Sequence, residues 1–249
     1  MGYIVGALAI GAAALGITGG YRAFVFVRGI MTYKARAKSE RVRAPPAFMA
    51  CACEGSRSFR TKELFRLNDG VMGGKSSSTL EVSGDEVIFT GIINTNGGGF
   101  ASFRTHGDED PLGLPASTSD LLVDATGDGQ RYKMTLYEAD SWEMMRPVWC
   151  CDFVATETRA THRLPIHTFR ASRQGRPVNP IFSNGTPGLV LAPAKVTGMG
   201  FSLSLYTSAG EPNPNFGPGP FKLVIHGVTS SALPARRAAE SSFAGGSDA

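Results

Sequence analysis

The sequence predicts an all-β sandwich of antiparallel strands, preceded by one N-terminal transmembrane helix. Apolar and polar residues alternate with a period of two in several short runs, the pattern of half-buried strands. The 31 glycines and 15 prolines cluster between those runs, where turns are required. Outside the N-terminus no long stretch shows a helical apolar period. At 249 residues the chain is long enough for one sizeable core and an appendage.

The helix is expected within residues 1–28. Tyr3 to Tyr21 runs nineteen residues without a charge. A helix of that length spans roughly 28 Å, close to the hydrocarbon thickness of a bilayer. Arg22 interrupts before Ala23-Phe24-Val25-Phe26-Val27, and near a helix end it can snorkel to the headgroups. Gly16 and Gly20 have the spacing of a helix-packing face. A cleaved secretory signal fits less well, because no basic residue precedes the apolar run. A transit peptide lacks its usual Arg- and Ser-rich start here. Gly2 does not make a myristoylation motif, since position 6 is Gly.

Charge is distributed unevenly. Residues 1–43 hold seven Lys/Arg (Arg22, Arg28, Lys34, Arg36, Lys38, Arg41, Arg43) and one acid, Glu40, out of chain totals of 25 and 21. The other 18 basic and 20 acidic residues leave the rest of the chain at about −2, although the whole carries +4. Basic residues just past the apolar run place that side in the negative-inside compartment. A nucleic-acid surface is not expected, because the basic excess is not on the folded domain.

Residues 29–58 read as a basic, Pro-containing linker, 59–229 as the β domain and 230–249 as an Ala/Ser/Gly/Arg tail of disordered composition. Within the domain the inward sets are Val87, Phe89, Gly91 and Ile93; Tyr132, Met134 and Leu136; Trp149, Cys151 and Phe153; Phe201, Leu203 and Leu205; and Phe221, Leu223 and Ile225. Turn clusters such as Thr126-Gly127-Asp128-Gly129 separate them. Sheets built from such strands pack face to face around a shared core.

Chemistry-bearing residues are sparse. Cys51, Cys53, Cys150 and Cys151 lack zinc-site spacing, and adjacent cysteines on a strand point to opposite faces. Cys151 is expected inward as a small hydrophobe. A redox link from the linker cysteines to Cys150 is the alternative. His106, His162, His167 and His226 are scattered without a nucleophile motif, which suits surface or capping roles. Asp108, Glu109 and Asp110 read as a solvated acidic loop, and Asp128 as a turn-closing residue. No enzyme, cofactor, metal site or small-molecule substrate is expected.

Two blocks stand out: Leu67-Asn68-Asp69-Gly70-Val71-Met72-Gly73-Gly74-Lys75-Ser76, and Gly97-Gly98-Gly99-Phe100-Ala101-Ser102-Phe103-Arg104. Asn-Asp-Gly is turn chemistry, because Asn and Asp bond their own backbone and Gly takes positive φ freely. Gly73-Gly74 permits a close backbone approach, and Val71 and Met72 would be held down as an apolar plug. Two roles remain open, a loop that organises its own sheet and a loop that contacts a partner. A phosphate site is not expected, since the strand–glycine–helix context is missing.

These blocks resemble the signature of the complex I intermediate-associated protein 30 family. The likeness continues through Ala125 to Gly129 with Arg131-Tyr132-Lys133, Leu164 to Phe169, Gly198 to Leu203, and Gly219 to Ile225. The N-terminal apolar segment and the cysteine pairs are not part of the pattern. The resemblance implies a galactose-binding-like jelly roll and a non-catalytic role in assembling mitochondrial respiratory complex I. It places signature or partner-contact loops at Asn68, Asp69, Gly70, Met72, Gly73, Gly74, Ser76, Gly98, Phe100, Ser102, Arg104, Asp128, Gly129 and Tyr132. The expected partners are subunits of a membrane complex, and the membrane itself through the N-terminal helix. The expected location is the mitochondrial inner membrane with the domain in the matrix. Alternatives are a permanent accessory subunit, a plastid thylakoid role on the stromal side, or a carbohydrate-binding module using Trp142 and Tyr137.

Overall fold

The computed structural model describes residues 42–43, 49–51, 63–105, 110–138, 147–173, 175–179 and 190–232. The anchor predicted for residues 1–28 lies outside them. Among the described residues no helix is long and apolar enough to cross a membrane.

The strands are β1 (Val42–Arg43), β2 (Met49–Cys51), β3 (Glu63–Asn68), β4 (Ser77–Ser83), β5 (Glu86–Ile93), β6 (Phe100–Thr105) and β7 (Thr118–Thr126). They continue as β8 (Arg131–Glu138), β9 (Val148–Val154), β10 (Ala160–Pro165), β11 (Arg170–Arg173), β12 (Arg176–Pro177), β13 (Val196–Ser204) and β14 (Gly219–Ala232). One sheet has eight strands in the order β1-β3-β6-β13-β8-β9-β11-β12. The other runs β10-β7-β14-β5-β4, with β2 added in parallel to β14 at Val228–Ser230. All other pairings are antiparallel. Two short strands thus come from the stretch read as linker, and β14 runs to Ala232.

The period-two sets meet in the core. Val87, Phe89, Tyr132, Met134, Leu136, Leu203, Leu223 and Ile225 are fully buried. Phenylalanines clamp the two sheets together. Phe89 of the smaller sheet meets Phe103 of the larger edge-on at 5.0 Å, and Phe103 stacks on Phe201 at 5.5 Å. Such contacts add to the area term of burial. Leu205 departs from expectation: it is 41% exposed, because β13 ends at Ser204 and the alternation stops with it. Cys151 is buried as predicted, next to Thr168. Cys150 points to the opposite face but is buried too, beside Thr135. Both are free thiols, and burial raises the pKa of each.

Asp120 on β7 ties three strands together. Arg163 on β10 donates to its two oxygens at 2.8 and 3.0 Å, and Ser231 on β14 donates at 3.3 Å. The Arg163 bond is the main reason its pKa falls from 3.8 to about 2; burial opposes the shift. A carboxyl with a depressed folded pKa contributes stability above its unfolded value and loses it as pH falls through the folded one. Asp120→Asn should therefore destabilise the domain at neutral pH. Its deficit against wild type should shrink as pH falls from 3.8 toward about 2. Denaturant midpoints measured across that range test this, and a deficit independent of pH would refute it.

Candidate functional site

The two signature blocks converge on one buried side chain, Asp69. A short 3-10 turn, Asp69–Met72, follows β3 and ends at Gly73, whose φ of 93° suits glycine. The turn sets the Asp69 carboxylate inward with no exposure. Its Oδ1 accepts the Ser76 N–H at 2.9 Å. Its Oδ2 accepts the Ser76 hydroxyl at 2.7 Å, the Gly99 N–H at 2.7 Å and the Phe100 N–H at 3.3 Å. The Asp69 carbonyl also takes the Gly74 N–H at 3.0 Å. A buried carboxylate is tolerated where hydrogen bonds replace its water, and here both oxygens are supplied.

The glycines follow from that carboxylate. A Cβ on either Gly74 or Gly98 would overlap the Asp69 carboxyl group itself. Both positions need a residue without a side chain so that their backbone can close over Asp69. Ser76 extends the pin by accepting the Asn94 N–H at 3.0 Å. Asn68 Oδ1 accepts the Ser78 hydroxyl at 2.8 Å, and the Ser102 hydroxyl donates to the Leu67 carbonyl at 2.6 Å. Gly70 and Gly73 are exposed on the outer side of the turn, while Phe100 and Ser102 are half-buried on β6. Met72 and Val71 belong to the turn, but their side chains lie outside the described residues.

A second carboxylate works the same way. Asp128, in the β7–β8 turn, accepts the Gln130 N–H at 3.1 Å, the Tyr132 hydroxyl at 3.0 Å and the Lys222 N–H at 2.9 Å. Gly129 supplies a φ of 81°. Asp128 therefore closes its turn, as predicted, and also holds the start of β14. Tyr132 is fully buried, so desolvation, with Asp128 beside it, raises its pKa. The Asp69 pin also lies near that strand start, since Ile93 pairs with Gly219 and Asn94 follows it. Arg104 stands apart on the eight-stranded sheet, with its guanidinium 5.0 Å from the Phe65 ring and 5.4 Å from the Tyr137 ring.

The 205–216 loop joins the same end. Leu205 N–H donates to the Gly99 carbonyl at 3.2 Å, and Asn213 Nδ2 donates to the Arg131 carbonyl at 3.0 Å. Asp152 accepts the N–H and the hydroxyl of Ser208. Exposed apolar side chains lie around these loops: Ile92 at 57%, Leu205 at 41% and Tyr206 at 49%. Spacing gave no sign of the Asp152–Ser208 contact, because the two residues lie 56 apart. The same holds for His226, which bonds Glu86 through Nδ1 and Thr126 through Nε2, both at 2.8 Å, across three strands. Trp142 lies outside the described residues. Among those described, no group of three His, Cys, Asp or Glu side chains is placed to hold a metal ion.

Asp69→Ala should cost roughly 2–4 kcal/mol, because buried donors lose their acceptor. Gly98→Ala should cost a similar amount through overlap with the carboxylate. In the Asp69→Ala background the Gly98→Ala penalty should fall by on the order of 1 kcal/mol or more, since the carboxyl atoms it strikes are gone and only the contact with the Cβ of residue 69 at 2.9 Å remains. Denaturant unfolding of the four proteins closes the cycle. Strict additivity would contradict the pin.

Comparison with known proteins gives one family and several distant folds. No curated protein matches the chain. Among solved structures, the family 11 carbohydrate-binding module of cellulosomal cellulase Lic26A-Cel5E of Clostridium thermocellum is similar at 13% identity and a TM-score of 0.39, covering 68% of this chain and 88% of that one. A CBM4 structure is similar at 12% identity and a TM-score of 0.35, covering 69% and 88%. An exo-beta-agarase is similar at 7% identity and a TM-score of 0.39, covering 69% of this chain and 23% of that one. Likeness this weak says nothing about ligands. The sequence profile described as complex I intermediate-associated protein 30 matches residues 56–225, well over half of the chain. The chain belongs to the complex I intermediate-associated protein 30 family.

Proposed function

We propose that this protein is a non-catalytic binding module that assists assembly of respiratory complex I. In this reading its N-terminal segment holds it at the mitochondrial inner membrane and the β domain faces the matrix. Family membership over residues 56–225 supports complex I as the client. The arrangement around Asp69 carries the mechanism. The polar groups of the signature are spent on each other, with Asp69 bonded to Ser76, Gly99 and Phe100. The motif therefore serves to hold loops in one shape, and rigid loops of fixed shape bind partners with little ordering cost. Exposed Ile92, Leu205 and Tyr206 around those loops suit a protein partner, since apolar and aromatic side chains anchor such interfaces.

The test is affinity capture of the full-length protein from mitochondria, followed by native complex profiling. Complex I subunits in sub-complexes smaller than the finished enzyme should be enriched. Co-migration with the finished enzyme alone would identify a resident subunit instead. Capture without any complex I subunit would refute the client. Tyr206→Ala should weaken the association several-fold while leaving the melting temperature nearly unchanged, because the side chain is half exposed.

A further inference from the structure

Between Glu157 and Glu211 the chain contains no Asp or Glu, yet it carries five arginines and one lysine. Two of the arginines are neutralised by β7: Arg159 by Asp124 at 2.5 Å and Arg163 by Asp120 at 2.8 Å. The other three, Arg170, Arg173 and Arg176, lie on the β11–β12 hairpin at the end of the eight-stranded sheet. All three are exposed, and none forms an ion pair or side-chain hydrogen bond with a described residue. Arg173 and Arg176 stand directly opposite each other in the antiparallel register.

Like charges facing across a ladder are destabilising. Charged residues on an edge strand do discourage wrong pairing. That accounts for a charge at this edge but not for two of one sign face to face, since an Arg–Glu pair would guard the edge and stabilise it as well. All three are arginine, whose planar fork takes carboxylates in bidentate fashion. Among the described residues they are also unmatched, in a domain whose own balance is slightly acidic.

We propose that the β11–β12 hairpin is a docking site for an acidic polypeptide segment, a run of Asp and Glu on a partner protein. Its carboxylates would complete the ion pairs that Arg173 and Arg176 on one face of the hairpin, and Arg170 on the other, lack among the described residues. A polypeptide is favoured over lipid headgroups because none of the exposed large apolar side chains lies between residues 170 and 179, where a bilayer contact would need one. The site is on a different part of the sandwich from the Asp69 loops. It rests on the partner-binding reading above, but the two can fail separately, because native profiling reports the client and the following titration reports the hairpin.

The full chain in detergent is titrated with a fluorescent ten-residue glutamate peptide, and with a Gly/Ser peptide of the same length. Saturable binding of the glutamate peptide alone is expected, weakening as salt rises from about 0.05 M to about 0.3 M. The combined change Arg170→Gln, Arg173→Gln and Arg176→Gln should weaken it by on the order of tenfold. Arg173→Gln alone should leave the melting temperature unchanged or raise it, since it removes a facing like charge. Equal binding by wild type and triple variant overturns the proposal. So does a lower melting temperature for Arg173→Gln, which would make the arginine structural. Arginine-dependent binding to cardiolipin-containing phosphatidylcholine vesicles, without binding to the peptide, would overturn it in favour of a lipid.

Discussion

Burying the carboxylate of Asp69 without exposure is costly unless every lone pair it presents is matched. Its acceptance of donors from Ser76, Gly99 and Phe100 dictates much of what surrounds it. Gly74 and Gly98 must lack a Cβ, and Gly73 must turn left-handed so that the chain can come back over the carboxylate. The pin connects the end of β3 to the approach to β6, neighbouring strands of the larger sheet, through a loop that leads into β4 of the smaller one. Asp128 repeats the device on the opposite flank of β14. Two buried or half-buried acids therefore fix the loops at one end of the sandwich, and neither forms an ion pair with a lysine or arginine side chain among the described residues.

The core follows more ordinary rules. Phe89, Phe103, Phe201 and Phe221 meet across the sheets, and the alternation of each strand delivers one face to that contact. Gly91 belongs to the same layer, where a Cβ would strike the Phe221 ring and the Ser77 carbonyl. Fully buried Tyr132 shows how the two systems join. Its ring is part of the core and its hydroxyl bonds to Asp128 at the surface end.

The all-β architecture and most core residues were legible from period-two alternation, because burial on one face of a strand writes itself directly into the sequence. Tyr132, Met134 and Leu136 illustrate this. The limits are equally physical. Leu205 continues the alternation but lies past the end of β13, and periodicity does not mark where a ladder stops. Strands β1 and β2 are too short to show a period, and they are held by neighbours far along the chain. The signature blocks were recognisable as turns with close backbone approach. That both close on Asp69 was not legible, since Gly99 is 30 residues away and nothing local encodes the meeting. Asp128 was read as closing a turn, but its hold on Lys222 spans 94 residues and escaped the sequence.

Strand β14 has a position with implications for how the protein is made. It lies in the middle of the smaller sheet, with β7 on one side and β5 on the other. Without it, β10-β7 and β5-β4 are separate two-stranded ribbons, and such ribbons are marginal on their own in water. Because β14, beginning at Gly219, follows the four strands of both ribbons in the chain, a nascent chain cannot join the two ribbons until β14 itself has been made. Until then the Phe89 and Phe221 faces cannot meet, and half-formed apolar surface stays open to chaperones. Completion of the smaller sheet thus waits on its own central strand.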